Sequence, residues 1–266
     1  MVVRSGIERV ARLATLLGTA MTICALFTTP SALADSLGTI QRIKSSIVAV
    51  GTYQSTRSPR FQFRGTGFVV ENGALVVTNA HVIPNVIETE RRELLVVAIP
   101  GKGQESEVRA VTVVATDRRY DLSILKLQGT PLPALKLGDS GSVVEGERYL
   151  FTGFPIGAAI GLFPATHHCI ISALTPVAIP LPDSSQLDAR TVRQLNAGAY
   201  PIFQLDGTAY PGNSGSPLYD PDSGEVVGVI NMVFVKGSKE AAITAPSGIT
   251  YAIPIQPLKD LLRTVQ

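Results

Sequence analysis

Three side chains in this sequence are of types that together perform a reaction none performs alone: His81, Asp121 and Ser214. His81 lies in "VVTNAHVI", where an apolar run turns polar. Asp121 lies in "RRYDLSILKL", an acid opening an apolar run. Ser214 lies in "YPGNSGSPL", a turn dense in Gly, Ser and Pro. Taken singly they read as a satisfied histidine, a strand-end acid and a turn serine. Taken in the order His, Asp, Ser, they form a chemical unit. A serine hydroxyl is a weak nucleophile until a base removes its proton. An imidazole does this near neutral pH and then protonates the leaving amine. A carboxylate holds the imidazole in the right tautomer and stabilises its cation. The glycines matter too: a negative charge developing beside Ser214 calls for backbone N–H groups, and Gly212 permits their close approach. The three groups complete this chemistry among themselves, so no cofactor is implied.

The other candidates for chemistry are weaker. His167 and His168 stand side by side next to Cys169 in "ATHHCII". Neighbours on a strand point to opposite faces, so they do not readily share a metal, and no second ligand cluster accompanies them.

The elements that position these residues are short. β-type runs rich in Val, Ile and Thr fall at 47–53, 66–70, 74–78, 94–99, 107–115, 121–127, 148–153, 169–174, 225–235 and 249–254. "ENG" at 71–73 reads as a tight hairpin between two of them. The one helical period comes at the end, where Leu258, Leu261, Leu262 and Val265 recur after Pro257. The pattern is all-β with a short closing helix. "QGTPLPALKLGDSGS" (128–142) divides two strand groups of similar size and reads as a linker. Residues 175–201 lack a strand pattern and read as a long functional loop.

The first 34 residues follow the three-part pattern of a secretory signal: Arg4, Arg9 and Arg12, then an uncharged apolar run over 13–27, then small Ala32 and Ala34 ahead of the expected cleavage. The chain carries a formal charge of +2, and the three arginines less Glu8 account for all of it. The exported remainder is neutral, which points away from a nucleic-acid surface. After cleavage no stable membrane insertion is expected, and Cys169 is left without a partner for an internal disulfide.

"TNAHV", "DLSILKL" and "GNSGSPL" closely resemble the three catalytic blocks of trypsin-like serine proteases, above all the bacterial HtrA (Deg) branch. "GTGFVVENGALVVTNAHV", "LPALKLGDS" and "GITYAIP" extend the likeness over roughly residues 40 to 260. The resemblance implies two six-stranded antiparallel β-barrels of chymotrypsin type, over 35–137 and 138–254, with a helix over 255–266. It implies His81 as general base, Asp121 as its orienting partner and Ser214 as nucleophile, with the N–H groups of Gly212 and Ser214 as oxyanion hole. It implies polypeptide substrates, and a periplasmic or secreted location agrees with the signal.

Departures from the family pattern carry expectations of their own. Ser216 replaces the second glycine after the nucleophile and is expected to narrow the substrate channel. Asn213 replaces the Asp that digestive proteases pair with a new N-terminal ammonium, so that activation switch is not expected. Thr250 replaces a glycine of the last strand. The 52 residues after Ser214 are needed for the second barrel and helix, so no PDZ domain is expected among them. Thr208, six residues before the nucleophile, falls at the base of the primary pocket, and it is no carboxylate. With an aliphatic wall of Val229, Ile230 and Asn231, this implies cleavage after small or medium apolar residues. The esterase reading fails on triad order and on the missing G-x-S-x-G glycine. The rival that remains is a catalytically inactive exported binding module on the same fold.

Overall fold

The computed structural model describes residues 32–101, 106–157, 161–176, 200–231 and 248–265. The signal segment up to residue 31, most of the 175–201 loop and the end of the 225–235 run lie outside the described residues. The chain divides into two compact units, Met1–Asp35 and Ser36–Gln266, and every described strand belongs to the second.

Twelve strands are present among the described residues. β1 (Ile47–Tyr53), β2 (Phe61–Val70), β3 (Leu75–Asn79), β4 (Leu94–Pro100), β5 (Ser106–Asp117) and β6 (Leu122–Leu127) close one antiparallel barrel in the order β1-β2-β3-β6-β5-β4. β7 (Arg148–Gly153), β8 (Ala165–Pro176), β9 (Pro201–Asp206), β10 (Pro217–Tyr219), β11 (Val226–Asn231) and β12 (Ile249–Pro254) close the second in the order β10-β11-β12-β9-β8-β7. This is the chymotrypsin-like double barrel. β9 and β10 have no counterpart in the sequence pattern. Each opens on a proline, and β10 is three residues long, too short for a period to show.

Each barrel has an apolar interior, and a third core lies between them. Val48, Val50, Val76, Val97 and Leu125 fill the first barrel. Phe151, Ile171, Phe203, Leu205 and Ile230 fill the second. Ile47 and Ala49, on the other face of β1, join Phe68, Leu150, Phe154, Val229 and Ile253 in the shared core. β1 is thus buried on both faces, which is why "IVAV" is continuously apolar rather than alternating. The 128–142 segment stitches the barrels: Leu135 bridges Val70 of the first and Leu137 bridges Val226 of the second.

Among the described residues, two α-helices flank the barrels. α2 (Gln256–Leu262) buries Leu258 and Leu262, as its period requires. α1 (Ala32–Lys44) is a helix that the sequence pattern does not announce. Gly38 and a string of polar residues dilute its signal, but Ile43 is buried in the shared core. Thr39, fully buried, donates its hydroxyl to the Asp222 carbonyl at 3.1 Å. No described helix is long and apolar enough to cross a membrane.

Candidate active site

β3 and β6 run antiparallel with Asn79 opposite Leu122. The residue leaving β3 therefore meets the residue entering β6, and the sequence puts His81 and Asp121 at those two points. A 3₁₀ turn over Ala80–Val82 swings His81 back towards the acid. Asp121 has φ +52°, a left-handed conformation that Asp tolerates better than most residues. Its carbonyl accepts from Ala80 N at 2.9 Å and from Asn79 Nδ2 at 3.1 Å.

The Asp121 carboxylate, nearly sealed from solvent, receives three donors. Oδ1 accepts from His81 N at 2.9 Å. Oδ2 lies 2.5 Å from His81 Nδ1 and accepts from Asn231 Nδ2 at 2.9 Å. Facing an acceptor-only carboxylate, Nδ1 carries the ring proton, which leaves Nε2 with its lone pair free to accept.

Ser214 comes from the second barrel and is tied to the first. Its carbonyl accepts from Thr66 N of β2 at 2.9 Å. Gly65 is where the two sides converge: a Cβ there would lie 2.7 Å from Val82 Cγ2 and 3.1 Å from the Ser214 carbonyl oxygen. The next residue, Gly215, donates its N–H to Ile230 O at 2.9 Å, and Asn231 beside it holds Asp121. The structure thus joins His81 to Asp121 and ties the Ser214 turn to β2 at the seam between the barrels. The turn needs its glycines. Gly212 has φ +106° and Gly215 φ +87°, and a Cβ at 215 would strike the Thr66 carbonyl. Neither Gly212 N nor Ser214 N donates to any acceptor among the described residues. Two N–H groups are left for a ligand.

The residues expected to set specificity divide. Thr208 is half-buried on the turn after β9. The fully buried Thr250 hydroxyl donates to Gly207 O at 2.6 Å and accepts from Ala209 N at 3.0 Å, bracketing Thr208. The glycine-to-threonine departure is therefore a strut beneath this turn. Val229 and Ile230 are fully buried, one in the shared core and one in the second barrel, and the Asn231 amide faces Asp121. Ser216 is also fully buried and faces β7, so close that a Cβ on Gly153 would strike its Oγ. Its Oγ is sealed from solvent, so the expected narrowing of a channel does not come from this hydroxyl. Asn213 is fully buried beneath the turn, its backbone N–H donating to Tyr210 O at 2.9 Å.

Sequence reasoning missed Thr66, Thr250 as a strut, and the role of Asn231. Each is a buried polar side chain whose partner is distant in sequence, and no local pattern marks that. The paired histidines do alternate: His167 stacks on Phe151 at 4.7 Å, burial holding its ring below the usual histidine range, while His168 is exposed. Burial pushes the Cys169 thiol up to about 12, so it is no ready nucleophile.

The chain is 30% identical over 214 residues to a Pseudomonas putida (strain GB-1) protein named "Probable periplasmic serine endoprotease DegP-like", covering 78% of this chain and 37% of that one. A Halomonas elongata protein of the same name is 30% identical over 198 residues, covering 74% and 34%. The chain thus spans little more than a third of the length of these curated relatives. The solved HtrA-type protease AlgW with tripeptide superposes with a TM-score of 0.60 at 21% identity, covering 86% of this chain and 63% of that one. Deg5 does so with a TM-score of 0.60 at 21% identity, covering 85% and 91%. These two likenesses speak to the fold. The model of the trypsin-like peptidase domain matches residues 65–229, more than half of the chain and both sides of the seam, and the chain belongs to that family.

Proposed function

We propose that this chain is an exported serine endopeptidase of the HtrA type, acting in the periplasm as its relatives' names describe for them. The observation that carries the reading is the Asp121 carboxylate, which holds His81 Nδ1 at 2.5 Å beside a cross-linked serine turn with two unpaired N–H groups. Ser214 Oγ attacks the scissile carbonyl carbon while His81 Nε2 takes its proton. The carbonyl oxygen becomes an oxyanion held by Gly212 N–H and Ser214 N–H. As the C–N bond breaks, the imidazolium gives its proton to the departing amine, leaving an acyl ester on Ser214. Water, deprotonated by His81, then releases the acid and restores the serine. An oxyanion donor of this kind contributes roughly a hundredfold to a thousandfold in rate.

Thr208, without a carboxylate and braced by Thr250, supports cleavage after small or medium apolar residues. Val229 and Ile230, with their side chains in the cores, contribute to this pocket through the backbone of β11. The test is digestion of an unfolded protein with mapping of the new termini. Cuts after Ala, Val and similar residues that vanish in Ser214→Ala support the reading. Cuts dominated by Arg or Lys overturn the specificity, and cutting that survives in Ser214→Ala overturns the triad.

A further inference from the structure

The geometry points to Ile156 as a positioning residue: its backbone N–H, presented from a strained turn, holds the peptide that aims one oxyanion donor. This rests on the proposed oxyanion role of Gly212. β7 ends at Gly153, and the chain then turns through Phe154, Pro155, Ile156 and Gly157. At Ile156 φ is +50°. A β-branched side chain is a genuine outlier there, and such strain persists only where surrounding structure imposes it. What the conformation achieves is visible in one bond: Ile156 N–H donates to the Pro211 carbonyl at 2.8 Å.

That carbonyl belongs to the peptide unit whose N–H is Gly212's. A trans peptide is planar, with its C=O and N–H pointing in opposite directions. Fixing the Pro211 oxygen on Ile156 therefore fixes the direction of the Gly212 N–H, which has no acceptor among the described residues. Rotation of this one peptide plane would turn the donor away and present a carbonyl oxygen where negative charge must develop.

The same turn grips Gly212 on its other side. Thr66, fully buried in β2, donates its hydroxyl to the Gly212 carbonyl at 2.7 Å and accepts from Phe154 N at 3.0 Å. A Cβ on Gly212 would strike the Phe154 carbonyl and lie 2.8 Å from the Phe63 ring. Phe63 and Phe154 pack edge to face at 6.2 Å. Both carbonyls flanking the donor, Pro211's and Gly212's, are thus anchored. One is held by Ile156 directly, the other through a threonine that Phe154 completes. Ile156 touches no reacting atom; it acts through Gly212.

Two kinds of substitution separate this role from mere stability. Ile156→Pro removes the N–H and forbids positive φ. Ile156→Gly and Ile156→Asn keep the N–H and tolerate the left-handed conformation. With a peptide ester as substrate, Ile156→Pro is expected to lose about a hundredfold in kcat with KM within threefold, the loss of one oxyanion donor. A peptide boronic acid, which mimics the tetrahedral adduct, should weaken in parallel while the product peptide binds as before. The Gly and Asn variants should keep at least about a third of the wild-type kcat, as expected when the N–H is retained. Should Ile156→Pro fail to fold by circular dichroism, the α-hydroxy analogue of isoleucine at 156 decides: its ester removes only the N–H and is expected to lower kcat about tenfold with KM unchanged, a partial loss of the same donor. A folded Ile156→Pro with kcat within threefold of wild type overturns the inference and leaves the triad standing. So does the ester at 156 with kcat within twofold where the proline variant is unfolded. A wild type that cleaves nothing overturns the triad reading and this inference with it.

Discussion

At the residue scale the least expected participant is Asn231. Its amide donates to the same Asp121 oxygen that faces the His81 ring, across 110 residues of sequence. Asn231→Leu takes a donor from a buried carboxylate and loosens the hold on the imidazole. Losing such a hydrogen bond costs roughly 1–3 kcal/mol. Steady-state kinetics on a peptide ester should show kcat down by about tenfold, consistent with that cost, and KM little changed. An unaltered kcat would show that Asn231 does not support the triad. His81, Asp121 and Ser214 stand out in the sequence because each sits in a local motif with its own turn chemistry. Asn231, read from sequence as a pocket wall, lies on β11 with its amide turned to Asp121. Strand position says which residues are near a site, and not which way a buried amide turns. Thr66 had no local signal at all, because a threonine in a strand needs no explanation, and Thr250 stood out only as a departure from the family's glycine.

At the element scale, strands with a full apolar period were readable, while β9, β10 and α1 were not. α1 is held by tertiary packing rather than propensity, so its stability resides in its contacts. Ile43→Ala should cost about 2–4 kcal/mol in urea unfolding, as for other large-to-small core changes. Leu37→Ala, on the same helix but 65% exposed, should be nearly neutral. A matching loss at both positions would contradict the packing described. The turn before β4 is held by charge. Glu93 accepts from Glu88 N at 3.0 Å and pairs with Arg57 at 2.8 Å. The Glu88 N–H, then Thr52 and Arg57, hold its carboxyl below the ordinary value of 4.5. A folded-state value below the unfolded one means the unfolded chain binds the proton more tightly. The stabilisation is therefore present above the ordinary carboxyl pKa and is lost as pH falls through the lower folded value. Melting curves of Glu93→Gln against wild type should show a gap at neutral pH that closes in acid. A gap constant with pH would show that the carboxylate charge does not matter.

At the scale of the whole molecule, the proposed reaction needs both barrels, because His81 and Asp121 come from one and Ser214 from the other. The barrel closures pair strands far apart in sequence, such as β1 with β4 and β7 with β10. No local period encodes such pairings, and the architecture was legible only through the motifs the chain shares with a known family. Thr66 to Ser214 and Asn231 to Asp121 cross the seam in opposite directions. The site is therefore a property of the assembled pair rather than of either barrel. The central claim is that this seam activates Ser214, and peptide mapping by mass spectrometry after treatment with a fluorophosphonate tests it most directly. The expected result is a single adduct on the peptide containing Ser214, absent in Ser214→Ala and strongly reduced in His81→Ala. A folded wild type that takes no adduct, or takes it on another residue, would contradict the claim.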